Sequence, residues 1–321
     1  MDWFLIGFLV FVLSVLALDL GVFHRHARIV PMREALAWTS VWISLALLFG
    51  VLVYFMYDRH WLGMGLQPGH ETSGQRAFLQ YLTGYIVEES LSLDNVFVIA
   101  LIFDHFKVPT MYQHRVLFWG ILGAIVLRGI MIAAGIALIR RFEWIILVFG
   151  VFLVFTAIRM IFAREEKYDP EKDILFRLAR RVYPVSPRLE GEKFFTRVNG
   201  RHAITPLFLV LLVVDSADTL FAVDSIPAIF AITQDPFIVF TSNIFAILGL
   251  RSMYFLMAGA MEKFRYLKTS LAFVLAFVGI KMLLSHYVHL PIAVSLGVIL
   301  GILFLGILAS LVASKREARR V

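Results

Sequence analysis

Ile204–Phe230 reads ITPLFLVLLVVDSADTLFAVDSIPAIF, and its composition decides how the rest of the chain is read. The stretch is long and apolar enough to cross a bilayer. Yet it holds Asp215, Asp218 and Asp224 and no Lys or Arg. A carboxylate at the centre of a membrane helix costs roughly 2.5–3.5 kcal/mol on insertion scales. Such residues face a bundle interior or a wet cavity and mark ion paths by default. Pro227 removes a backbone donor and disfavours helix at Ile226. The span is therefore expected to break just after Asp224, as is tolerated where backbone lines a cavity.

Outward from this stretch the whole chain looks like membrane. It has 321 residues, 60% of them hydrophobic, and a mean hydropathy of +0.83. Apolar runs predict an all-α integral membrane fold of about nine spans. They lie near 3–23, 38–57, 77–103, 116–138, 142–162, 204–230, 237–259, 267–284 and 292–313. The segments group as two leading spans (1–76), a first triplet (77–163), a polar loop (164–203), a second triplet (204–285), and a last span with a basic tail (286–321). The loop is broken by Pro170, Pro184 and Pro187 and reads as a solvated connector with room for protein partners. No soluble domain is expected.

The charge pattern orients the spans. Of the 30 Lys and Arg, 22 fall on one side under the nine-span reading; Arg59, Arg76, Arg140 and Arg141 fall on the other. Basic loops stay cytoplasmic. That predicts an outside N-terminus and an inside C-terminus and loop. The +7 net charge is thereby explained without nucleic acid.

Spans 3–5 resemble spans 6–8. Glu88 precedes Asp94-Asn95 by six residues, as Asp218 precedes Asp224-Ser225. Leu127-Arg128 with Ala134-Gly135 matches Leu250-Arg251 with Ala258-Gly259. Phe142 and Arg159 are spaced as Phe264 and Lys281 are. Three-span units enter the membrane from opposite sides, which predicts an inverted-topology 3+3 repeat with a site at the midplane.

Six acids lie at membrane depth in this reading: Glu88, Glu89, Asp94, Asp215, Asp218 and Asp224. Only Arg128 and Arg251 lie equally deep, and they are read as counter-ions. A dry interior does not tolerate the surplus, so either protons or a metal cation must occupy it. Oxygen donors are what the spans offer, with Ser92, Asn95, Ser225, Thr241, Ser242 and Asn243 beside the acids. There is no cysteine. This set suits hard ions such as Mg²⁺, Ca²⁺ and Mn²⁺. The expected ligands are Glu88, Asp94, Asn95, Asp215, Asp218, Asp224 and Asn243. Arg159 and Lys281 are read as snorkelling residues. Asp19 is read either as a structural ion pair or as a ligand, and Glu89 has no firm role. No resident cofactor and no catalytic residue are expected; the G-x-G-D context of an intramembrane aspartyl protease is missing around Asp94 and Asp224.

Four stretches carry a family resemblance: SLDNVF (Ser92–Phe97), FAVDSIPAIFA (Phe221–Ala231), DPFIVFTSNIFAILGLRSMYFL (Asp235–Leu256) and GIKM (Gly279–Met282). The chain resembles the TerC family, and within it the Alx type. The resemblance implies a bacterial inner-membrane protein associated with tellurium resistance and with manganese export. It also implies functional acids at Glu88, Asp94, Asp218 and Asp224, with Asn95 and Asn243 as amide partners. Glu89 departs from the Lys that an Alx-type protein can carry there. The leading expectation is Mn²⁺ efflux coupled to protons. The alternative is a non-transporting scaffold for metal or tellurite stress, or for metallation of secreted enzymes, docking partners through 164–203.

Overall fold

The computed structural model describes residues 2–18, 31–67, 70–162, 173–198, 200–257, 266–285, 287–288 and 290–318. Asp19, the first half of the polar loop up to residue 172, Ala258-Gly259, Phe264, His286 and His289 lie outside the described residues. The chain is helical nearly throughout. Helices α1 (Asp2–Leu18) and α2 (Met32–Asp58) lead, followed by an antiparallel pair of two-residue strands, β1 (Leu66–Gln67) and β2 (His70–Glu71). Helices α3 (Gly74–His105), α4 (Thr110–Arg141) and α5 (Ile145–Phe162) form the first triplet. A short helix α6 (Ile174–Val182) and an antiparallel hairpin, β3 (Phe195–Val198) and β4 (Arg201–Ile204), precede the second. That triplet is α7 (Pro206–Phe230), α8 (Pro236–Met257) and α9 (Leu267–Leu283), and α10 (Ile292–Ala318) closes the chain.

Local chemistry sets the helix starts. The Ser73 hydroxyl accepts from Arg76 N at 3.3 Å at the head of α3. Thr205 accepts from Phe208 N at 3.4 Å ahead of Pro206, whose missing donor costs nothing at the first helical position. Asp235 Oδ1 accepts from Phe237 N at 2.9 Å and Ile238 N at 3.3 Å, capping α8.

Six helices among the described residues are long and apolar enough to cross a bilayer: α2, α4, α5, α7, α8 and α10. Helices α1 and α9 have 17 residues each. Helix α3 spans 32 residues but carries the Glu88–Asp94 acids. The central window of α8 is wholly buried, while the other five candidates keep most of theirs open. Exposed Leu, Ile, Val and Phe cover their outer faces, as expected of a bundle whose solvent is lipid.

Helix α8 packs against α2, α3 and α4; α4 packs against α7, α3 against α7, and α5 against α9. One apolar cluster joins α1, α2, α3 and α8, with Phe49 4.8 Å from Phe245 between ring centroids. At the α5–α9 crossing Gly150 and Gly279 bring two backbones together: a Cβ at Gly279 would meet Gly150 O at 2.9 Å.

Two expectations need correction. Helix α7 does not break after Asp224; it runs through Pro227 to Phe230. Proline strips a partner only from the carbonyl four residues back, at Val223, and the helix ends within a turn of Pro227, so the disruption stays in its last turn. The second half of the polar loop is no bare connector either. It holds α6 and the β3–β4 hairpin, pinned by Thr205 Oγ1 donating to Lys193 O at 2.7 Å and Ile204 N donating to Pro184 O at 3.0 Å.

Candidate ion site

Arg128 of α4 is the centre of the deep polar network. It is fully buried and five donor–acceptor contacts converge on it. Nε donates to Asp218 Oδ2 at 3.1 Å and Nη2 to Asp218 Oδ1 at 2.9 Å. Nη1 donates to Glu88 Oε1, to Asn243 Oδ1 at 3.2 Å and to Ser225 Oγ at 3.4 Å. Asn95 Nδ2 adds a bond to Asp218 Oδ1 at 3.3 Å. One guanidinium therefore ties α3, α7 and α8 to α4. Its planar fork is what makes the two-point grip on Asp218 possible.

Of the expected ligands, Glu88, Asn95, Asp218 and Asn243 meet here, joined by Ser225. Each of the first two keeps an oxygen without a partner: Glu88 Oε2 and Asn95 Oδ1 are buried and unbonded, as are Asn243 Nδ2 and Ser92 Oγ. Asp215 lies one turn before Asp218 on α7. Its carboxylate rests on the glycines of α4, with Oδ2 2.8 Å from where a Cβ of Gly123 would stand and Oδ1 3.4 Å from that of Gly120. Oδ1 has no partner. Asp215 and Asp218 both line a small cavity of ≈ 10 Å³ between α3, α4, α7 and α8, room for at most about one water.

The other acids point elsewhere. Asp224 accepts from Thr156 Oγ1 of α5 at 3.1 Å, with Arg159 the nearby positive charge. Asp94 faces the charge of Lys268 at the start of α9. Glu89 packs against Gly249 of α8, 3.6 Å from where its Cβ would stand, and faces the Tyr85 hydroxyl. Arg251 is buried on α8. Thr241 and Ser242 donate to carbonyls of their own helix, Phe237 O at 2.7 Å and Ile238 O at 2.8 Å. Among the described residues no three Asp, Glu or His gather closely enough to hold a metal ion. The arrangement as it stands is one arginine neutralising part of a buried acid set, with oxygen acceptors left over.

Sequence spacing misses four neighbours of these acids. Thr156 is an unremarkable hydroxyl in an apolar run, Lys268 counts there only as a loop charge, and Gly120 with Gly123 carries no chemical signal. Only the helix crossings bring them to Asp224, Asp94 and Asp215.

Comparison with known proteins shows the family to which the chain belongs. The model of the integral membrane protein TerC family matches residues 73–318. An uncharacterized membrane protein of Myxococcus xanthus is 54% identical over 309 residues, covering 96% of this chain and 92% of that one. A protein of Salmonella typhi, named as a candidate membrane-bound redox modulator, Alx, is 47% identical over 298 residues, 92% of this chain and 90% of that one. A Rickettsia bellii membrane protein is 40% identical over 312 residues, 97% of each chain. No solved structure matches. The chain is a multi-pass integral membrane protein of the TerC family.

Proposed function

We propose that the chain is a non-enzymatic carrier of divalent cations, exporting Mn²⁺ across a bacterial inner membrane in exchange for protons. The observation that carries this reading is the buried network at Arg128. Glu88 and Asp218 come from two different acid-bearing helices, yet a single guanidinium serves both. With Asp215 on the same cavity, the cluster holds more acid than base. A low-dielectric interior favours filling such a site with cations or protons. Its spare acceptors are oxygens, which favour hard ions over Zn²⁺ or Cu²⁺.

Arg128 acts in this scheme as a tethered cation. It holds Glu88 and Asp218 while Mn²⁺ is elsewhere, and it must swing aside for the ion to use those carboxylates. Asp94 and Asp224, six residues further along the same two helices, serve as the approach on either side. The reading takes up the nine-span inverted repeat expected from the sequence, an architecture suited to alternating access. Pairing α3 with α7, α4 with α8 and α5 with α9 turns the α3–α8 contact into the α7–α4 contact, and both exist. The basic loops put the C-terminus and residues 164–203 in the cytoplasm. With no cysteine, any influence on redox state of the kind the Alx name suggests would run through metal supply rather than thiol exchange.

The test is divalent-ion flux in proteoliposomes containing a pH-sensitive dye, across Mn²⁺, Ca²⁺ and Mg²⁺. Mn²⁺ flux with opposing proton movement is expected, abolished by Asp94→Asn or Asp224→Asn at unchanged membrane yield. Normal flux in both variants, or none with any ion in the wild type, removes the proposal.

A further inference from the structure

Helix α6 has three distinct faces. Phe176 is buried, its ring 5.7 Å from that of Phe106, and Ala179 joins the same apolar cluster. Opposite them Ile174, Leu178 and Val182 follow one another a turn apart, exposed by 72%, 55% and 61%, with Leu175 beside them at 40%. Arg177 and Arg181 stand exposed between the two faces, and the helix holds no acid. Arg180 lays its guanidinium 5.5 Å from the centre of the Phe176 ring. Tyr183 follows immediately, 52% exposed.

The position of α6 explains this stripe. Asp173 caps the helix, accepting from Phe176 N at 3.0 Å, and also accepts from Ser216 Oγ at 2.6 Å. Ser216 lies ten residues into α7, about 15 Å along its axis. The start of α6 therefore sits beside the body of a membrane-crossing helix rather than beyond its end. One turn further along α7, Leu220 is 61% exposed, so a lipid-facing surface adjoins α6.

We propose that α6 is an interfacial helix. Ile174, Leu178 and Val182 sink into the acyl chains of the leaflet on that side, while Arg177 and Arg181 hold phospholipid phosphates. An apolar stripe flanked by Arg matches the pattern of helices that lie in the headgroup boundary, and juxtamembrane basic residues are drawn to anionic lipid. Tyr183 sits where amphipathic rings gather. The proposal is independent of what the protein transports. It turns this half of the polar loop from a solvated segment into a membrane-bound one.

The natural absence of cysteine makes the test direct. Single cysteines placed from 174 to 182 in the full-length protein, spin-labelled and reconstituted in nanodiscs with anionic lipid, report collisions with oxygen and with a water-soluble nickel complex. Oxygen is expected to dominate several-fold at 174, 178 and 182, and nickel at 177 and 181, repeating with helical period. In a second arm, Arg177→Gln with Arg181→Gln should at least halve the oxygen excess at 178, as should purely zwitterionic discs. Dominant nickel access at every position would overturn the proposal. So would low access to both reagents at 174, 178 and 182, which would mean that a partner protein or second copy covers the face. An unchanged oxygen excess in both the Gln variant and zwitterionic discs would remove the phosphate contacts.

Discussion

Arg128 grips Asp218 at two points, Nε to Oδ2 at 3.1 Å and Nη2 to Oδ1 at 2.9 Å, with the side chain of Arg128 wholly buried and that of Asp218 12% exposed. A fork of this kind is strong only while both partners are present. Arg128→Met leaves Glu88 and Asp218 as buried acids without their cation, a change that costs about 3–5 kcal/mol in comparable sites. Arg128→Lys keeps the charge but not the fork and should fall between. Adding Asp218→Leu to Arg128→Met should recover part of the loss, because it removes an orphaned carboxylate. Thermal unfolding of wild type, Arg128→Met, Asp218→Leu alone and the double variant in one detergent completes the cycle. Additive losses would show that the pair is uncoupled.

Asp215 presents the opposite case. Its Oδ1 has no partner and its carboxylate lies on bare glycine backbone of α4. Neither contact stabilises the fold. Asp215→Asn removes the need to bury a charge while keeping the shape. It should leave stability unchanged or raise it by about 1 kcal/mol, and yet lower Mn²⁺ flux if the carboxylate serves the ion. A melting temperature that falls together with flux would reassign Asp215 to a structural role.

The helices are legible in the sequence because period and hydropathy act locally. Spans expected at 204–230, 237–259 and 267–284 appear as helices 206–230, 236–257 and 267–283. The meeting of Glu88, Asn95, Asp218 and Asn243 is legible in part, since deep polar residues in lipid have few places to go except each other. What stays hidden depends on rotation and crossing. Nothing in the spacing says that Asp224 turns to Thr156 while Asp218, six residues earlier, turns to Arg128. The expected break after Asp224 fails because it weighs Pro227 without regard to how near the helix end it falls. The order in 173–204 escapes a reading of charge and proline as solvation, although Ile174, Phe176, Leu178 and Val182 already mark an amphipathic helix.

Tyr57 and Asp235 link α2 to the start of α8, with the phenol donating to Asp235 Oδ2 at 2.8 Å while Oδ1 caps the helix. Tyr57→Phe deletes one bond to a charged acceptor, which is worth about 1.5–3 kcal/mol. Asp235→Ala deletes that bond and the cap together, and the cap alone is worth about 0.5–2 kcal/mol. The second variant should therefore unfold at the lower temperature. In the Asp235→Ala background the Tyr57→Phe change should cost little, since the phenol has already lost its acceptor. Equal penalties in both backgrounds would mean that the bond does not form in the membrane.

Glycine on these helices separates two kinds of surface. At Gly279 an added Cβ would stand 2.9 Å from Gly150 O, 2.9 Å from a Val154 methyl and 3.0 Å from the Leu153 Cβ. The first is backbone and the last is anchored to it, so α5 and α9 must move apart. Gly279→Ala should cost about 1–3 kcal/mol, the usual penalty of overpacking, and Gly279→Leu more. At Gly301 on α10 nothing lies within 4 Å. There Gly301→Ala should be neutral or gain up to about 1 kcal/mol from helix propensity. The α5–α9 crossing also joins the last helices of the two triplets, so a rocking carrier would pivot or slide there. Gly279→Ala should accordingly slow Mn²⁺ flux by more than its loss of folded protein explains, measured per folded molecule in liposomes. Flux per folded molecule equal to wild type would confine the crossing to a static structural role.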